Sequence, residues 1–404
     1  MTDTVSFSGY LRDDGRFGIR NAILVIYLVE CAHHVARRIV TSADDPSIQL
    51  VGFPGCYPNS YAFQIMKQLA THPNVGGALI VSLGCEGFDR NSLYDAVVAS
   101  GRPAEILVIQ QAGGTRATID AGIAAVARLK AEADRVKRAP MALADLVVGT
   151  ICGGSDGTSG ITANPAVGRC FDKLIEAGGT CMFEETGELI GCEQIMAARA
   201  VTAELGREIK AAVVKAERYY ATLGYGSFAP GNAEGGLTTQ EEKSLGAYSK
   251  SGDSPISGLI KPGEMPPNPG LYLLDVVPDG EVRFGFPNIS DNAEIVELIA
   301  SGCHLILFTT GRGSVVGSAI SPVIKVCANP ETYAKLPEDM DIDAGRILQH
   351  KASLDEVGLE IFDRVVDVAG GLPSVSEALG HQEFILTYKY FDASGPACLP
   401  TSRS

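Results

Sequence analysis

A strand-like run at 144–151 (ADLVVGTI) empties into the loop 152–160 (CGGSDGTSG), which combines a thiol, a carboxylate, hydroxyls and four glycines. Ligands of parallel α/β sheets collect outside the carboxyl ends of the strands, where glycine lets the backbone come close to a small polar molecule. Two more apolar runs end the same way. The run 75–82 (VGGALIVS) leads into Leu83, Gly84, Cys85 and Glu86, and 48–53 (IQLVGF) leads into Pro54, Gly55 and Cys56. Three thiols at three strand tips, Cys56, Cys85 and Cys152, predict a common site. Separated thiolates suit a soft or borderline metal such as Fe(II) or Zn(II) in an open catalytic site. The competing expectation is three small buried hydrophobes, because free cysteine is among the most buried residue types. Cys31, Cys170, Cys181, Cys303, Cys327 and Cys398 sit in helix or strand interiors or near the tail, and are expected to serve packing.

Other clusters could hold an anion or move a proton. In 9–21 (GYLRDDGRFGIRN), Arg12, Arg16 and Arg20 recur every four residues around tight turns. Guanidinium forks grip carboxylates, so this could be an anion clamp; the alternative is a hairpin of solvated charges. In 183–193 (FEETGELIGCE), Glu185 and Glu193 are the better candidates for a metal ligand or general base, since Glu188 and Glu193 could equally decorate a helix N-terminus. In 231–246, Thr238 or Thr239 reads as an N-cap, while Asn232, Gly235 and Gly236 have no such local reason, and Lys243 could act as a base if desolvated. After an apolar run at 305–308, Thr309, Thr310, Gly311 and Arg312 make an oxyanion or carboxylate nest. Lys325 lies in a mainly apolar strand, where lysine is uncommon. The alternating acids at 338–345 could bind a hard cation but lack an EF-hand's pattern, and read as a solvated loop.

The elements that position these residues follow a βα rhythm. Apolar runs alternate with helical ones through the first 140 residues, and a charged stretch before Pro140 marks a boundary. The fold class is therefore α/β in two domains, an N-terminal doubly wound parallel sheet (1–140) and a larger C-terminal α/β domain (141–404). In the second, a long helix is expected at 191–222 and an irregular glycine- and proline-rich excursion at 223–268. With 404 residues and 46% apolar content the chain can fill both cores. A net charge of −15 argues against nucleic acid. The N-terminus is polar and no run of about 18 apolar residues occurs, so no membrane partner and a cytoplasmic location are expected. Ten cysteines in such a chain favour free thiols.

The stretches GYLRDDGRFGIRN, HPNVGGALIVSLGCE, CGGSDGTSGITANPAVG, ETGELIGCE, GNAEGGLTTQEEKSLG, TTGRG and PVIKVCANPETY with DMDIDAG resemble the altronate/galactarate dehydratase family, which includes the large chain of sulfolactate sulfo-lyase. The resemblance covers almost the whole chain. It implies two α/β domains, a divalent metal that is commonly iron (Fe2+, with Mn2+, Mg2+ or Zn2+ as alternatives), and elimination of water from a sugar acid to give a 2-keto-3-deoxy acid. It also implies a small SAF-domain subunit, expected here as a separate partner because the chain begins at the GYLRDDGR motif; a homo-oligomer is expected as well. The family's His-x-x-Gly-Cys-Gly stands here as Phe53, Pro54, Gly55, Cys56 and Tyr57, which points toward a smaller or different 2-hydroxy acid, a sulfonate included.

In mechanistic terms the metal would chelate the substrate carboxylate and 2-hydroxyl, and Glu193, Lys243 or Lys325 would take the α-proton. Arg12, Arg16, Arg20 and Arg312 would hold the anionic ends, with Ser155, Asp156, Asn232 and Thr309 as further substrate contacts. The β-substituent would leave as water or sulfite. An iron-sulfur cluster on Cys56, Cys85 and Cys152 is the alternative cofactor. A nucleotide-dependent oxidoreductase is disfavoured by the missing GxGxxG spacing. A non-catalytic large subunit whose thiols merely pack is the remaining class.

Overall fold

In the computed structural model, which describes residues 6–224, 230–281, 290–386, 388 and 389, the chain opens with a hairpin of β1 (Ser6–Leu11) and β2 (Phe17–Gly18). There follow β3 (Ala22–Tyr27), α1 (Glu30–Ala43), β4 (Ile48–Gly52), α2 (Ser60–Ala70), β5 (Val75–Ser82), α3 (Arg90–Ala99), β6 (Ala104–Val108) and α4 (Thr115–Ala133). The four strands β3 to β6 form a parallel sheet in the order β4-β3-β5-β6. All eight residues of β5 are buried, as expected of a strand covered on both faces. On α1, Ala32, Val35, Ala36 and Ile39 make the buried stripe, with helical spacing. β7 (Arg138–Ala142) then returns antiparallel to β1, with Ser6 opposite Ala142, so the small sheet β2-β1-β7 straddles residue 140.

The second sheet is built from β8 (Val147–Cys152), α5 (Ala163–Glu176), β9 (Thr180–Phe183), α6 (Glu193–Arg199), α7 (Ala203–Leu223), α8 (Pro230–Glu234), α9 (Gln240–Tyr248), β10 (Ile256–Ile260), β11 (Gly270–Leu274), α10 (Asp291–Ala300), β12 (Leu305–Thr310), β13 (Val323–Cys327), α11 (Pro330–Lys335), β14 (Ile342–Asp343), α12 (Leu354–Ala369) and α13 (Val375–Leu379). Its seven strands are parallel, in the order β10-β11-β9-β8-β12-β13-β14. From β8 the chain adds β9, then the edge strand β10, then β11 between those two, and crosses to the other side of β8 as β12. That reversal opens a crevice at the carboxyl ends of β8 and β12, the place where such sheets bind ligands. In the first sheet the same reversal falls between β3 and β5.

Two expectations about helices need correction. The single helix expected over 191–222 is two, because Ala200 is extended and the Thr202 side chain caps α7 by accepting from Leu205 N. The excursion at 223–268 contains α8, α9 and β10, with α9 started by Thr239, whose side chain accepts from Glu242 N at 3.2 Å. Cys398 and the tail lie outside the described residues.

The two sheets share one apolar core, in which Ile65, Met66 and Leu69 of α2 join Ile295, Leu298 and Ile299 of α10. Of the three N-terminal arginines, Arg20 reinforces this junction. Arg12 is buried and donates to Pro73 O, Asn21 Oδ1 and Arg20 O at 2.8–3.0 Å. Arg16 pairs with Asp14 and donates to Thr71 O at 2.7 Å. Arg20 grips both carboxylate oxygens of Glu377, at 2.7 and 2.8 Å, and donates to Val368 O and Leu372 O. Arg12 and Arg16 thus brace the hairpin against the turn between α2 and β5, and Arg20 ties it to α12 and α13, so the bonds of these residues go to the fold where an anion clamp is expected from sequence. Among the described residues no helix is long and apolar enough to cross a membrane.

Candidate active site

The crevice is furnished from β8, β9 and α9. Continuing the β8–β9 register two residues past Thr150 and Phe183 sets Cys152 beside Glu185, and Cys152 N donates to Glu185 Oε2 at 3.2 Å. Glu185 has φ +73°, a left-handed conformation that a non-glycine residue adopts only when its surroundings impose it. The turn it begins, Thr186–Leu189, brings Glu188 back over the strand end. Here Gly187 is required, because a Cβ would collide with the Tyr220 ring of α7. From the other side α9 rides directly on the 152–160 loop: a Cβ on Gly160 would stand 2.8 Å from Gly246 Cα. This approach delivers Lys243, and the short turn after α9 delivers Lys250.

These side chains converge. Cys152 Sγ lies 3.3 Å from Glu185 Oε1 and 3.3 Å from Glu188 Oε2. Lys243 Nζ reaches Cys152 Sγ and Ser155 Oγ, each at 3.2 Å, and forms an ion pair with Glu188. Lys250 pairs with Glu185. Lys243, Lys250, Glu185, Cys152 and Ser155 are buried, while the Glu188 side chain keeps 18% of its surface exposed and so faces the way in.

The charges sort into distinct protonation states. Burial, with help from the Glu185 charge, pushes Glu188 up to about 7. Burial alone would raise Glu185 too, but the Lys250 and Lys243 ammonium groups carry it below the usual carboxylate range. Cys152 is pushed up to about 12 by burial and by the two carboxylates, so it remains a thiol. Both lysines are held above their ordinary value despite burial, by the anions around them. Glu184 and Glu294 lie well above the carboxylate range, through burial and repulsion from neighbouring carboxylates (Glu294 on Glu184, Glu185 on Glu294), and keep their protons. Asp291, packed against Gly153, is raised to about 6 by burial and by Glu185.

Of the residues expected from sequence, Cys152, Ser155, Glu185 and Lys243 meet here. Asp156 organises the loop, its oxygens accepting from Thr158 and Ser159 and from Asn329 Nδ2 at 2.8 Å. Thr309 stacks next to Cys152 in the sheet; its carbonyl accepts from Gly153 N, and its buried hydroxyl has no partner among the described residues. Arg312 bonds Gly231 O and Glu234 at the rim, and Asn232 is buried beside it.

Four candidates lie elsewhere. Glu193 caps its own helix by accepting from Gly191 N at 2.9 Å. Lys325 sits within β13, with its Nζ 3.4 Å from His381 Nδ1 and its pKa lowered by burial. Cys56 and Cys85 belong to the other sheet and are exposed, so the three thiols do not form one site. Glu184, Glu188 and Lys250 were missed as functional residues. Lys250 stands seven residues after Lys243, two helical turns on the same face, which is a signal the sequence carries.

Among the described residues, Cys152, Glu185 and Glu188 are the one group whose potential metal-ligand atoms come within 4.8 Å of one another. The donor set does not fit a divalent ion, however. On Glu188 the oxygen nearest the thiol, Oε2, already carries the Lys243 ammonium group, Glu185 turns Oε1 to the thiol and Oε2 to Lys250, and two lysines balance two glutamates. A cation there would have to displace Lys243, which lies on both the thiol and Glu188.

Comparison with known proteins agrees with the architecture. The family model described as D-galactarate/altronate dehydratase, C-terminal, matches residues 143–391, and the second-domain model of D-galactarate dehydratase/altronate hydrolase matches residues 9–134. The chain is 34% identical to (2R)-sulfolactate sulfo-lyase subunit beta of Chromohalobacter salexigens, over 96% of this chain and 98% of that one. It is 31% identical to altronate dehydratase of Bacillus subtilis, over 91% of this chain and 74% of the relative. It is 30% identical to galactarate dehydratase (L-threo-forming) of Escherichia coli, over 91% and 73%. The chain belongs to the D-galactarate/altronate dehydratase family of lyase-type enzymes.

Proposed function

We propose that this protein eliminates water from a sugar acid or related 2-hydroxy acid to give a 2-keto-3-deoxy acid, with Glu188 as the base. The observation that carries this reading is a partly exposed carboxylate raised to about 7, held between an ammonium group and a thiol at the crevice of a parallel sheet. A general base works best when its pKa lies near the operating pH. Glu188 takes the proton α to the substrate carboxylate. Lys243 and Lys250 stabilise the enediolate charge that develops, in a buried setting where fixed charges act strongly. Glu184, which keeps its proton and whose Oε1 is buried and without a partner among the described residues, donates to the departing hydroxyl. Arg312 and the Gly153–Gly154 loop receive the anionic end. Iron dependence is part of the proposal, and its donors lie outside this cluster.

A second reading, carbon–sulfur elimination with release of sulfite, is favoured by one observation. The sulfolactate relative aligns over 98% of its length, and that relative is one subunit of an enzyme, so a small partner subunit is proposed in either case. The test is an assay of aldonates, aldarates and sulfolactate for 2-keto acid and sulfite. Keto acid without sulfite supports dehydration, sulfite supports the second reading, and silence on every substrate with partner and iron supplied contradicts both.

A further inference from the structure

Loss of the 3-hydroxyl from a 2,3-dihydroxy acid leaves an enol, C2(OH)=C3, which becomes the 2-keto-3-deoxy acid only when C3 gains a proton. Glu188, Glu184 and the two lysines act on the earlier steps. One further carboxyl group reaches the same loop. Asp291 opens α10, and a Cβ on Gly153 would collide with its Oδ2 and with the Phe308 ring, so the carboxyl lies directly on the residue that follows Cys152.

Asp291 arrives from the opposite face of the sheet. Ile295, Leu298 and Ile299 of α10 pack with Ile151, Ile306 and Phe308 on one face, whereas Leu189, next to Glu188, and Ala247 of α9 pack with Val148, Leu305 and Leu307 on the other. Glu188 and Lys243 therefore reach the end of β8 from the α9 side, and Asp291 from the α10 side. The glycine loop runs between them, with Gly154 O accepting from Arg312 N at 2.8 Å.

The usual work of an acid in a first helical turn does not account for this placement. Ser290 caps α10 by accepting from Ala293 N at 3.3 Å, and among the described residues no donor from another residue is bonded to the Asp291 carboxyl. The residue is exposed at the crevice mouth, where bulk water can return a proton to it. It belongs electrostatically to the site: withdrawal of water by the surrounding protein, and then Glu185, raise it, Lys243 and Lys250 lower it, and the balance lies at about 6. Such a group gives and regains protons readily near neutrality.

We propose that Asp291 is the acid that protonates C3 of the enol, from the side of the crevice opposite Glu188. The C2=C3 π pair forms the new C3–H bond with the Asp291 proton, and the O–H pair of the 2-hydroxyl becomes the second C–O bond. The hydroxyl proton leaves to water, and water at the mouth re-protonates the Asp291 carboxylate. Delivery from one side makes the reaction stereospecific at C3. The assignment rests on the lyase reading.

The test is turnover in deuterium oxide of whichever aldonate or aldarate the enzyme dehydrates, with partner and iron supplied, quenched in acid and read by proton NMR at C3 of the keto acid. Wild type should carry deuterium at one of the two C3 positions. Asp291→Asn, folded by circular dichroism, should release the enol to ketonise in solution, so deuterium should spread over both positions and keto acid should lag behind substrate loss. If sulfolactate is the substrate, the same lag is read as keto acid behind sulfite. Single-position label or no lag in Asp291→Asn, or a wild-type product labelled at both positions or without deuterium at C3, would overturn the inference. A wild type that forms no keto acid contradicts the lyase reading itself, so the two failures are told apart.

Discussion

Replacing Lys243 with methionine removes one charge from the crevice while keeping most of the stem volume, and it isolates what tunes Glu188. In the wild type, burial and Glu185 raise Glu188 while Lys243 and Lys250 lower it, with the balance at about 7. A cation in contact typically lowers a carboxylate by about 1–3 pH units, so without Lys243 the balance moves to roughly 8–10. The base must be ionised, so activity rises with pH through this value. At pH 7 the ionised fraction falls from about one half to between roughly 10% and 0.1%, a loss of about 5- to 500-fold. The measurement is kcat/KM across pH 5–10 on whichever hydroxy acid is turned over. The acid limb should move to higher pH by at least one unit. A lower plateau with the limb unmoved would refute the assignment, since it would mean that Lys243 acts on something other than the ionisation of Glu188.

Lys250→Met leaves Glu185 buried without its counter-ion and should lower the unfolding free energy at neutral pH by about 3–5 kcal/mol, read by denaturant titration. Because the pair holds Glu185 below the ordinary carboxylate range, its stabilisation is present above that range and is lost on acidification, so the gap to wild type should close as pH falls. Arg20→Ala should cost about 1–3 kcal/mol of stability with KM unchanged; a raised KM and intact stability would restore the anion-clamp reading. Gly187→Ala should cost about 1–3 kcal/mol by forcing a methyl into the Tyr220 ring, and should lower kcat by displacing Glu188.

The strand-then-glycine pattern at 144–160 coincides with the crevice at the end of β8, because a buried parallel strand and a close-approach loop both leave marks in local sequence. Cys152, Ser155 and Lys243 follow from it. What sequence does not carry is the lateral order of strands. Cys56 and Cys85 look equivalent to Cys152 as strand-tip thiols, yet they belong to a different sheet. Glu188 and Glu193 illustrate a second limit. Both read as helix-start acids, and the structure splits them: Glu193 caps α6, while the left-handed backbone at Glu185 turns Glu188 back into the crevice. The arginine spacing was visible, but the partners of Arg20, namely Glu377, Val368 and Leu372, lie about 350 residues away.

The most direct measurement is the pH dependence of kcat/KM for Glu188→Gln beside wild type, with partner and iron supplied and 2-keto acid as the readout. Wild type should show an acid limb near pH 7, and the variant, folded by circular dichroism, should be slower by about 10²–10⁴-fold and lack that limb. A variant as fast as wild type, or one that keeps the same limb, would contradict Glu188 as the base.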